Sequence, residues 1–438
     1  MKLDGARVVV VGMARSGVAA LRLLREKGAM VRAVDEKPMG EVLGVAVEPQ
    51  TEAAFEDADL VVISPGVPAD LRLLDDVRAR GVPVIGELEL AAPYLKGRNI
   101  GVTGTNGKTT TTALTGHILR ESGIACQVGG NIGTPPASLI DTSRPDQWNV
   151  LELSSFQLET IQTFHAGIAA CLNITQNHLD RHHTFEGYTN AKARLFETQR
   201  SGDVAVLNAD DPVTASFAQR TQARTMWFSG THAVSGAWLE KDAILLDGEP
   251  LLNVRKLRLR GRHNYENVMA AALIAREAGA QPAQIAQAAA TFAPVEHRLE
   301  LVREINGVAY YNDSKATSVD ATLKAIDAFP GGLWIILGGK DKDSDYTVLR
   351  DPLRQKARAA LLIGAAARKI ASQLGQGTAP VVHCGTLAAA LQQAYRSAEP
   401  GDTVLLAPAC SSFDQFENFE HRGRVFKELV NALAEGAH

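Results

Sequence analysis

Nine short apolar runs rich in β-branched residues recur along the chain, at Val8–Val11, Val31–Val34, Leu60–Ile63, Ile100–Thr103, Val150–Leu153, Val204–Leu207, Trp334–Leu337, Leu361–Ile363 and Thr403–Leu406. Helix-like stretches separate them, which is the rhythm of α/β domains with buried, mostly parallel sheets. Most runs end at glycine, serine or an acid, where such sheets place ligand loops. A length of 438 residues suggests about three domains. One cut falls near residues 87–98, where helix-like Glu87–Tyr94 gives way to a fresh strand and a phosphate-loop pattern. A second falls near residues 294–298, after the alanine-rich stretch Gln284–Ala290 and before the strand pattern Leu301–Tyr311. The expected domains are therefore 1–90, 91–296 and 297–438.

Hydrophobic residues make up 45% and charged residues 21%, which excludes disordered, collagen-like and coiled-coil chains. A net charge of −4 advertises neither a nucleic-acid nor an anionic-membrane surface. Cys126, Cys171, Cys384 and Cys410 form no CxxC pair, so neither a zinc ribbon nor a disulfide scaffold is supported. The longest uncharged stretch, Thr160–Leu179, carries Gln162, His165, Asn173, Gln176, Asn177 and His178, which a lipid-facing helix would not tolerate. The N-terminus shows a strand-like run and a glycine turn instead of a signal-peptide core. These features point to a cytoplasmic protein.

The first strand runs into Gly12-Met13-Ala14-Arg15-Ser16-Gly17, then a helix-like stretch Val18–Lys27, a second strand and Asp35. This is nearly a dinucleotide-binding turn, in which glycines let backbone N–H groups approach a diphosphate and the later acid binds a ribose. Ala14 replaces the middle glycine. A tight turn with no nucleotide is the plain alternative.

A stronger signal is Gly104-Thr105-Asn106-Gly107-Lys108-Thr109-Thr110, between the strand Ile100–Thr103 and helix-like Thr111–Arg120. Loop amides can cradle phosphates, Lys108 can reach the β and γ oxygens, and Thr109 can ligate magnesium. The strict P-loop has a further glycine where this chain has Val102. Beyond it, Leu151-Glu152-Leu153-Ser154-Ser155-Phe156-Gln157 places an acid inside an apolar strand. If both faces of that strand are covered, a magnesium ion explains the acid economically; if one face is wet, Glu152 is a surface acid.

Asn173, Thr175, Asn177, His178, Asp180, Arg181, His182 and His183 crowd the region after another strand, without zinc-ligand spacing. One histidine at a phosphate-bound magnesium fits better. On its residues alone, Lys192 reads as a solvated lysine at a helix entry, and Asn264 and Asn267 as a helix cap. The last third offers His297-Arg298, Asn312-Asp313-Ser314-Lys315-Ala316-Thr317, Gly338-Gly339-Lys340-Asp341-Lys342 and Ser411-Ser412-Phe413. Together such loops suit phosphate transfer and carboxylate binding; alone each is a polar loop.

Read in order, GTNGKT, LELSSFQL, NHLDRH, GRHNYEN, EHRLE, NDSKAT, LGGKDK and PACSSFDQFENFEHRG resemble the ATP-dependent Mur ligases of peptidoglycan precursor synthesis. The resemblance covers essentially the whole chain. It implies an α/β protein of three domains: Rossmann-like for the UDP-sugar, a central P-loop-type ATPase domain with a mostly parallel sheet, and a Rossmann-like C-terminal domain for the amino acid. The opening turn, Ser64-Pro65-Gly66 and the closing string Phe413–Gly423 resemble the member type that joins D-glutamate to UDP-N-acetylmuramoyl-L-alanine. An acyl phosphate made with ATP would be attacked by the amine, chemistry that depends on positioning and charge neutralisation.

Carried over by motif, the resemblance implies Arg15, Ser16, Asp35 and Gly66 at the uridine diphosphate and Asn131 at the sugar, with Ser154 and Gln157 also on the substrate side. It puts Lys108 and Thr109 at the ATP phosphates and a first magnesium, with Glu152, His178 and Lys192 around a second. Lys192 would become a carbamate, which requires a neutral amine and a lowered pKa. Asn264 and Asn267 would approach the adenine, and Arg298, Asp313 and Lys315 would complete the nucleotide site. Thr317, Lys342, Ser412, Phe413 and Phe419 would meet D-glutamate, with Lys340 an alternative to Lys342. The expected state is a monomer with no nucleic-acid or membrane partner. A sister Mur ligase or a folylpolyglutamate synthetase using another amino acid is the nearest enzymatic alternative. From other classes come a nucleotide-gated binding protein and, from Gly12–Gly17 with Asp35, an NAD-dependent oxidoreductase.

Overall fold

The computed structural model describes residues 2–37, 40–131, 133–259, 261–293 and 296–434. Pro294, at the second expected boundary, and the side chain of Asp180 lie outside the described residues. The chain divides into two compact units, Met1–Lys256 with Glu266–Thr291, and Leu257–Tyr265 with Phe292–His438.

The first unit holds two sheets. The six-stranded one runs Glu41–Val42, Val45–Pro49, Met30–Asp35, Arg7–Val11, Leu60–Ile63, Val84–Gly86. All its pairs are parallel except the edge hairpin Glu41–Val42 with Val45–Pro49. In a strand, successive side chains go to opposite faces. Val8 and Val10 accordingly join one apolar core, with Leu21 and Leu24 of the helix Arg15–Glu26, while Val9 and Val11 join another with Phe55 and Leu74. Both faces being covered explains why the run is continuously apolar rather than alternating.

The second sheet has nine strands. Its parallel part places Arg98–Thr103 between Ile168–Cys171 and Trp148–Glu152, with Val102 in register with Glu152. Four strands that no sequence pattern announced, Arg224–Ser229, Gly236–Glu240, Ala243–Leu246 and Glu249–Asn253, extend it to one edge, the last two joining antiparallel. The glycine-rich loop thus leaves the C-terminal end of an interior strand and enters the helix Lys108–Glu121.

The sheet of the second unit runs Glu300–Ile305, Val308–Asn312, Thr403–Leu406, Leu333–Gly338, Ala357–Ile363, Val381–Gly385. Val308–Asn312, Thr403–Leu406 and Leu333–Gly338 are parallel neighbours. The loops that follow their C-terminal ends, residues 313–317, 407–413 and 339–342, therefore share one end of the sheet. This is where parallel sheets bind ligands, and all the polar loops singled out in the last third fall there.

Candidate active site

In the first unit, the opening turn is built around Asp35. Its carboxylate accepts the Met13 N–H at 2.7 Å and the Lys37 N–H at 3.0 Å. Gly17 is required by packing: a Cβ there would fall 1.8 Å from the Gly12 carbonyl oxygen. Ser64 closes the turn from the next strand, donating its hydroxyl to Gly12 O at 2.6 Å. Around this turn lies a cavity of about 880 Å³ whose lining includes Arg15, Ser16, Asp35, Gly66, Asn131 and Gln157. A space of that size suits a nucleotide-sized ligand. Ser154 is not in the lining. It caps the helix Ser155–Leu158 in a capping box with Gln157. The lining also takes in Glu36 and Gln50, which no spacing rule singles out, because they reach the wall through sheet topology.

The phosphate-loop segment has the shape its sequence implied. Gly107 stands at φ +86°, and a Cβ would come within 2.2 Å of Asn267 Oδ1. The N–H groups of Thr105 and Asn106 donate to the carbonyl and side-chain oxygen of Asn173 at 2.8 Å each. Lys108 lies back along the loop, donating to Gly104 O at 2.9 Å and Thr105 O at 2.8 Å. Thr109 and Thr110 are buried beside it. The Thr110 hydroxyl has no hydrogen-bond partner among the described residues.

Glu152 is buried, so the wet-face alternative does not hold, and Asn131 Nδ2 donates to its Oε1 at 3.0 Å. Lys192 corrects the reading of a solvated lysine. It is 1% exposed, because the helix Phe185–Glu197 packs its inner face under the strand Arg98–Thr103 and the loop. Its Nζ donates to Gly104 O at 2.9 Å and Thr103 Oγ1 at 3.3 Å. Burial, reinforced by the charge of Lys108, holds its pKa well below the ordinary lysine value.

Tyr188 was not foreseen. It stands four residues before Lys192 on the same helix, hence on the same face. Its ring lies 4.8 Å from Lys192 Nζ and its hydroxyl bonds Thr105 Oγ1 at 2.9 Å. The His178 ring sits 6.4 Å from that of Tyr188 and 4.8 Å from Phe156. His178 is exposed and holds a left-handed φ of 54° where it caps Leu179–His182. Asn267 is buried against the loop, as Gly107 shows. Asn264 is also buried and belongs to the second unit, so neither asparagine is only a surface cap.

In the second unit, Asp313 accepts the Leu299 N–H at 3.2 Å, and burial pushes its pKa up to about 6 against the opposing charge of Arg298. Arg298 is partly exposed. Lys315 Nζ lies 5.6 Å from the Phe419 ring, and Thr317 bonds back to Lys315 O at 2.8 Å. Lys340 and Ser411 are bolted by a backbone bridge, with bonds of 2.9 and 3.2 Å. Ser412 is buried while Phe413 is 67% exposed, and Lys342 is exposed. Arg422, fully buried and also unforeseen, ties these loops together. It donates to Ser314 Oγ at 3.0 Å, Ser314 O at 2.9 Å and Cys410 O at 3.2 Å.

Residues 6–86 match the Mur ligase MurD-like N-terminal domain, 102–275 the Mur ligase middle domain and 297–410 the Mur ligase glutamate ligase domain. A UDP-N-acetylmuramoylalanine--D-glutamate ligase of Solibacter usitatus is 60% identical over 99% of both chains. The chain belongs to the Mur ligase family. Its likeness extends to a protein of the same description in Koribacter versatilis, 49% identical over 99% of each. Among solved structures, the UDP-N-acetylmuramate-alanine ligase MurC of Thermotoga maritima superimposes with a TM-score of 0.64 at 18% identity, over 98% of this chain and 99% of that one. The MurF ligase of the same organism, solved with ADP, gives 0.64 at 17% over 98% and 96%, so this family member has the Mur ligase fold. Family membership also removes the nicotinamide reading of the opening turn. No described helix of this Mur ligase is long and apolar enough to cross a membrane.

Proposed function

We propose that this Mur ligase joins D-glutamate to UDP-N-acetylmuramoyl-L-alanine at the expense of ATP, through an acyl phosphate, in peptidoglycan precursor synthesis. The observation that carries the reading is the cavity: Arg15, Ser16, Asp35, Gly66 and Asn131, which the family resemblance puts at the UDP-sugar, all line it, together with Gln157 from the substrate side. The name carried by the 60% identical relative, matched end to end, agrees.

In this reading Arg15 and the turn amides neutralise the diphosphate, and Asn131 orients the sugar end. The γ-phosphoryl of ATP goes to the alanine carboxylate, and the D-glutamate amine then displaces phosphate to form the amide. Lys108 and the amides that open the helix Lys108–Glu121 hold the ATP phosphates, where the helix dipole favours anions. Gly107, whose Cβ would collide with Asn267, lets the loop lie directly against that residue. Asn267 of the first unit is assigned to the adenine, and Asn264, Arg298, Asp313 and Lys315 of the second unit are assigned to the nucleotide.

Thr109, Glu152, His178 and Lys192 are the residues that would hold two magnesium ions, hard cations suited to oxygen ligands. Magnesium held there would supply charge neutralisation to the ATP phosphates. Lys192 takes part as a carbamate, formed when its neutral amine adds to carbon dioxide and releases a proton. Its burial and its proximity to Lys108 favour that neutral amine. Thr317, Lys342, Ser412, Phe413 and Phe419 receive D-glutamate. Lys340, whose backbone is bridged to Ser411, stands as the alternative to Lys342.

Product analysis tests the reaction. Incubation with ATP, magnesium, UDP-N-acetylmuramoyl-L-alanine and D-glutamate should give equal amounts of ADP, phosphate and a UDP-linked dipeptide. ADP without any UDP-linked amide would overturn the reading and favour a nucleotide-gated protein.

A further inference from the structure

The cavity wall Ser64–Leu71 contributes Ser64, Gly66, Val67, Pro68 and Leu71 to the lining. It is held on one side by the glycine turn, through Ser64 N–H to Val11 O at 2.9 Å and the Ser64 hydroxyl to Gly12 O. On the other side it is held by a side chain from far along the chain. Arg181 Nη2 donates to Val67 O at 2.6 Å and also to the Glu159 carboxylate. Its guanidinium lies 5.0 Å from the Phe156 ring, and the side chain is 9% exposed.

Arg181 belongs to Leu179–His182, the single turn that begins at His178. The grip continues on the same face: His182 Nδ1 is 3.7 Å from Glu159 Oε2, and its Nε2 is 2.9 Å from Ser155 Oγ. A second, exposed link joins the same segments, His183 Nε2 to Asp70 Oδ2 at 2.6 Å. A guanidinium fork can serve a carbonyl and a carboxylate at once in fixed geometry, which an ammonium cannot. The buried link is thus a rigid strut between the wall of the UDP-sugar cavity and the turn that carries His178, while the exposed one is screened by solvent.

We propose that Arg181 is a positioning residue that couples occupancy of the cavity by a nucleoside-diphosphate sugar to the placement of His178, by bracing the Val67 carbonyl and Glu159 together. The proposal rests on the function proposed above. A ligand that fixes the wall fixes Val67, and through Arg181 the turn beginning at His178.

The test compares Arg181→Met, Arg181→Lys and the control Asp70→Asn, measuring calorimetric affinity for UDP-N-acetylmuramoyl-L-alanine without ATP, then kcat and each KM. Arg181→Met should raise the dissociation constant and KM for the UDP-substrate about tenfold and lower kcat about tenfold, each a loss near 1.4 kcal/mol, with the KM for D-glutamate unchanged. Arg181→Lys, which can still donate to Val67 O but cannot also hold Glu159, should recover the affinity and not the kcat. Asp70→Asn should change either by less than about twofold. A folded Arg181→Met with unaltered affinity and kcat would overturn the coupling. So would an Arg181→Lys enzyme that recovers kcat and affinity together, since a simple packing role predicts that. Failure of the wild-type protein to bind the UDP-substrate at all would instead overturn the functional reading, and the coupling with it.

Discussion

Lys108 and Lys192 both donate to the carbonyl of Gly104, each at 2.9 Å. Two ammonium groups on one oxygen repel, and the buried one bears the cost of desolvation as well. Lys192, the buried one, is therefore the member driven toward the neutral amine. Replacing Lys192 by alanine should lower ADP release about a hundredfold or more, the scale seen when a positioned electrostatic group is lost. Added acetate or formate should restore part of the rate by supplying the missing carboxylate. A fully active Lys192→Ala enzyme would end the carbamate role.

Glu87 gives a pH-dependent expectation. It is fully buried, accepts the Ala137 N–H at 2.6 Å through Oε1, and its Oε2 has no partner among the described residues. Burial pushes its pKa up to about 8 from the ordinary value of 4.5. Between those pH values the folded state holds a proton that the unfolded state has lost, so this residue lowers stability progressively as pH rises from about 4.5 to about 8. Glu87→Gln keeps the acceptor for Ala137 and removes the penalty. Unfolding free energies from denaturant titrations should coincide near pH 4.5 and favour the variant at pH 8 by a few kcal/mol, since each pKa unit carries ~1.4 kcal/mol. Equal values at pH 8 would contradict the buried neutral acid.

Arg422 should be needed for both stability and amino-acid binding. Its guanidinium holds Ser314 and Cys410, neighbours of Lys315 and Ser412. Arg422→Met leaves those carbonyls buried and unpaired, at a cost of about 3 kcal/mol. Among molecules that remain folded, the KM for D-glutamate should rise while that for the UDP-substrate stays put. An unchanged KM for D-glutamate would separate Arg422 from the loops.

Gly17→Ala should fail at the opening turn. The added Cβ would sit 1.8 Å from Gly12 O, so the helix Arg15–Glu26 must shift against the strand Arg7–Val11. Overpacking of this kind costs about 1–3 kcal/mol. The KM for the UDP-substrate should rise together with the loss in thermal stability. Wild-type values for both would show that the turn yields freely.

Much of the fold was legible because buried parallel strands write themselves as continuous apolar runs. Arg7–Val11, Leu60–Ile63 and Thr403–Leu406 fall where the runs predicted. The strands from Arg224 to Asn253 were not picked out: Arg224–Ser229, Gly236–Glu240 and Glu249–Asn253 have mixed faces that carry no such pattern, and the short apolar run Ala243–Leu246 stands among them. Of the cavity residues, Asp35 could be picked from the strand-end motif that begins at Gly12, while Arg15 and Gly66 followed from the family resemblance. Lys192 could not be recognised as buried from its neighbours, because what buries it is a strand some ninety residues earlier, through the Thr103 and Gly104 contacts. Arg181 and Arg422 act through carbonyls at Val67, Ser314 and Cys410, and a carbonyl leaves no mark on the sequence.

The most direct test is ADP release by the purified protein with magnesium, ATP and UDP-N-acetylmuramoyl-L-alanine, comparing D-glutamate with L-glutamate, L-alanine and no amino acid. Release that requires D-glutamate is the expected result. Release driven equally by L-alanine or L-glutamate, or without any amino acid, would contradict it.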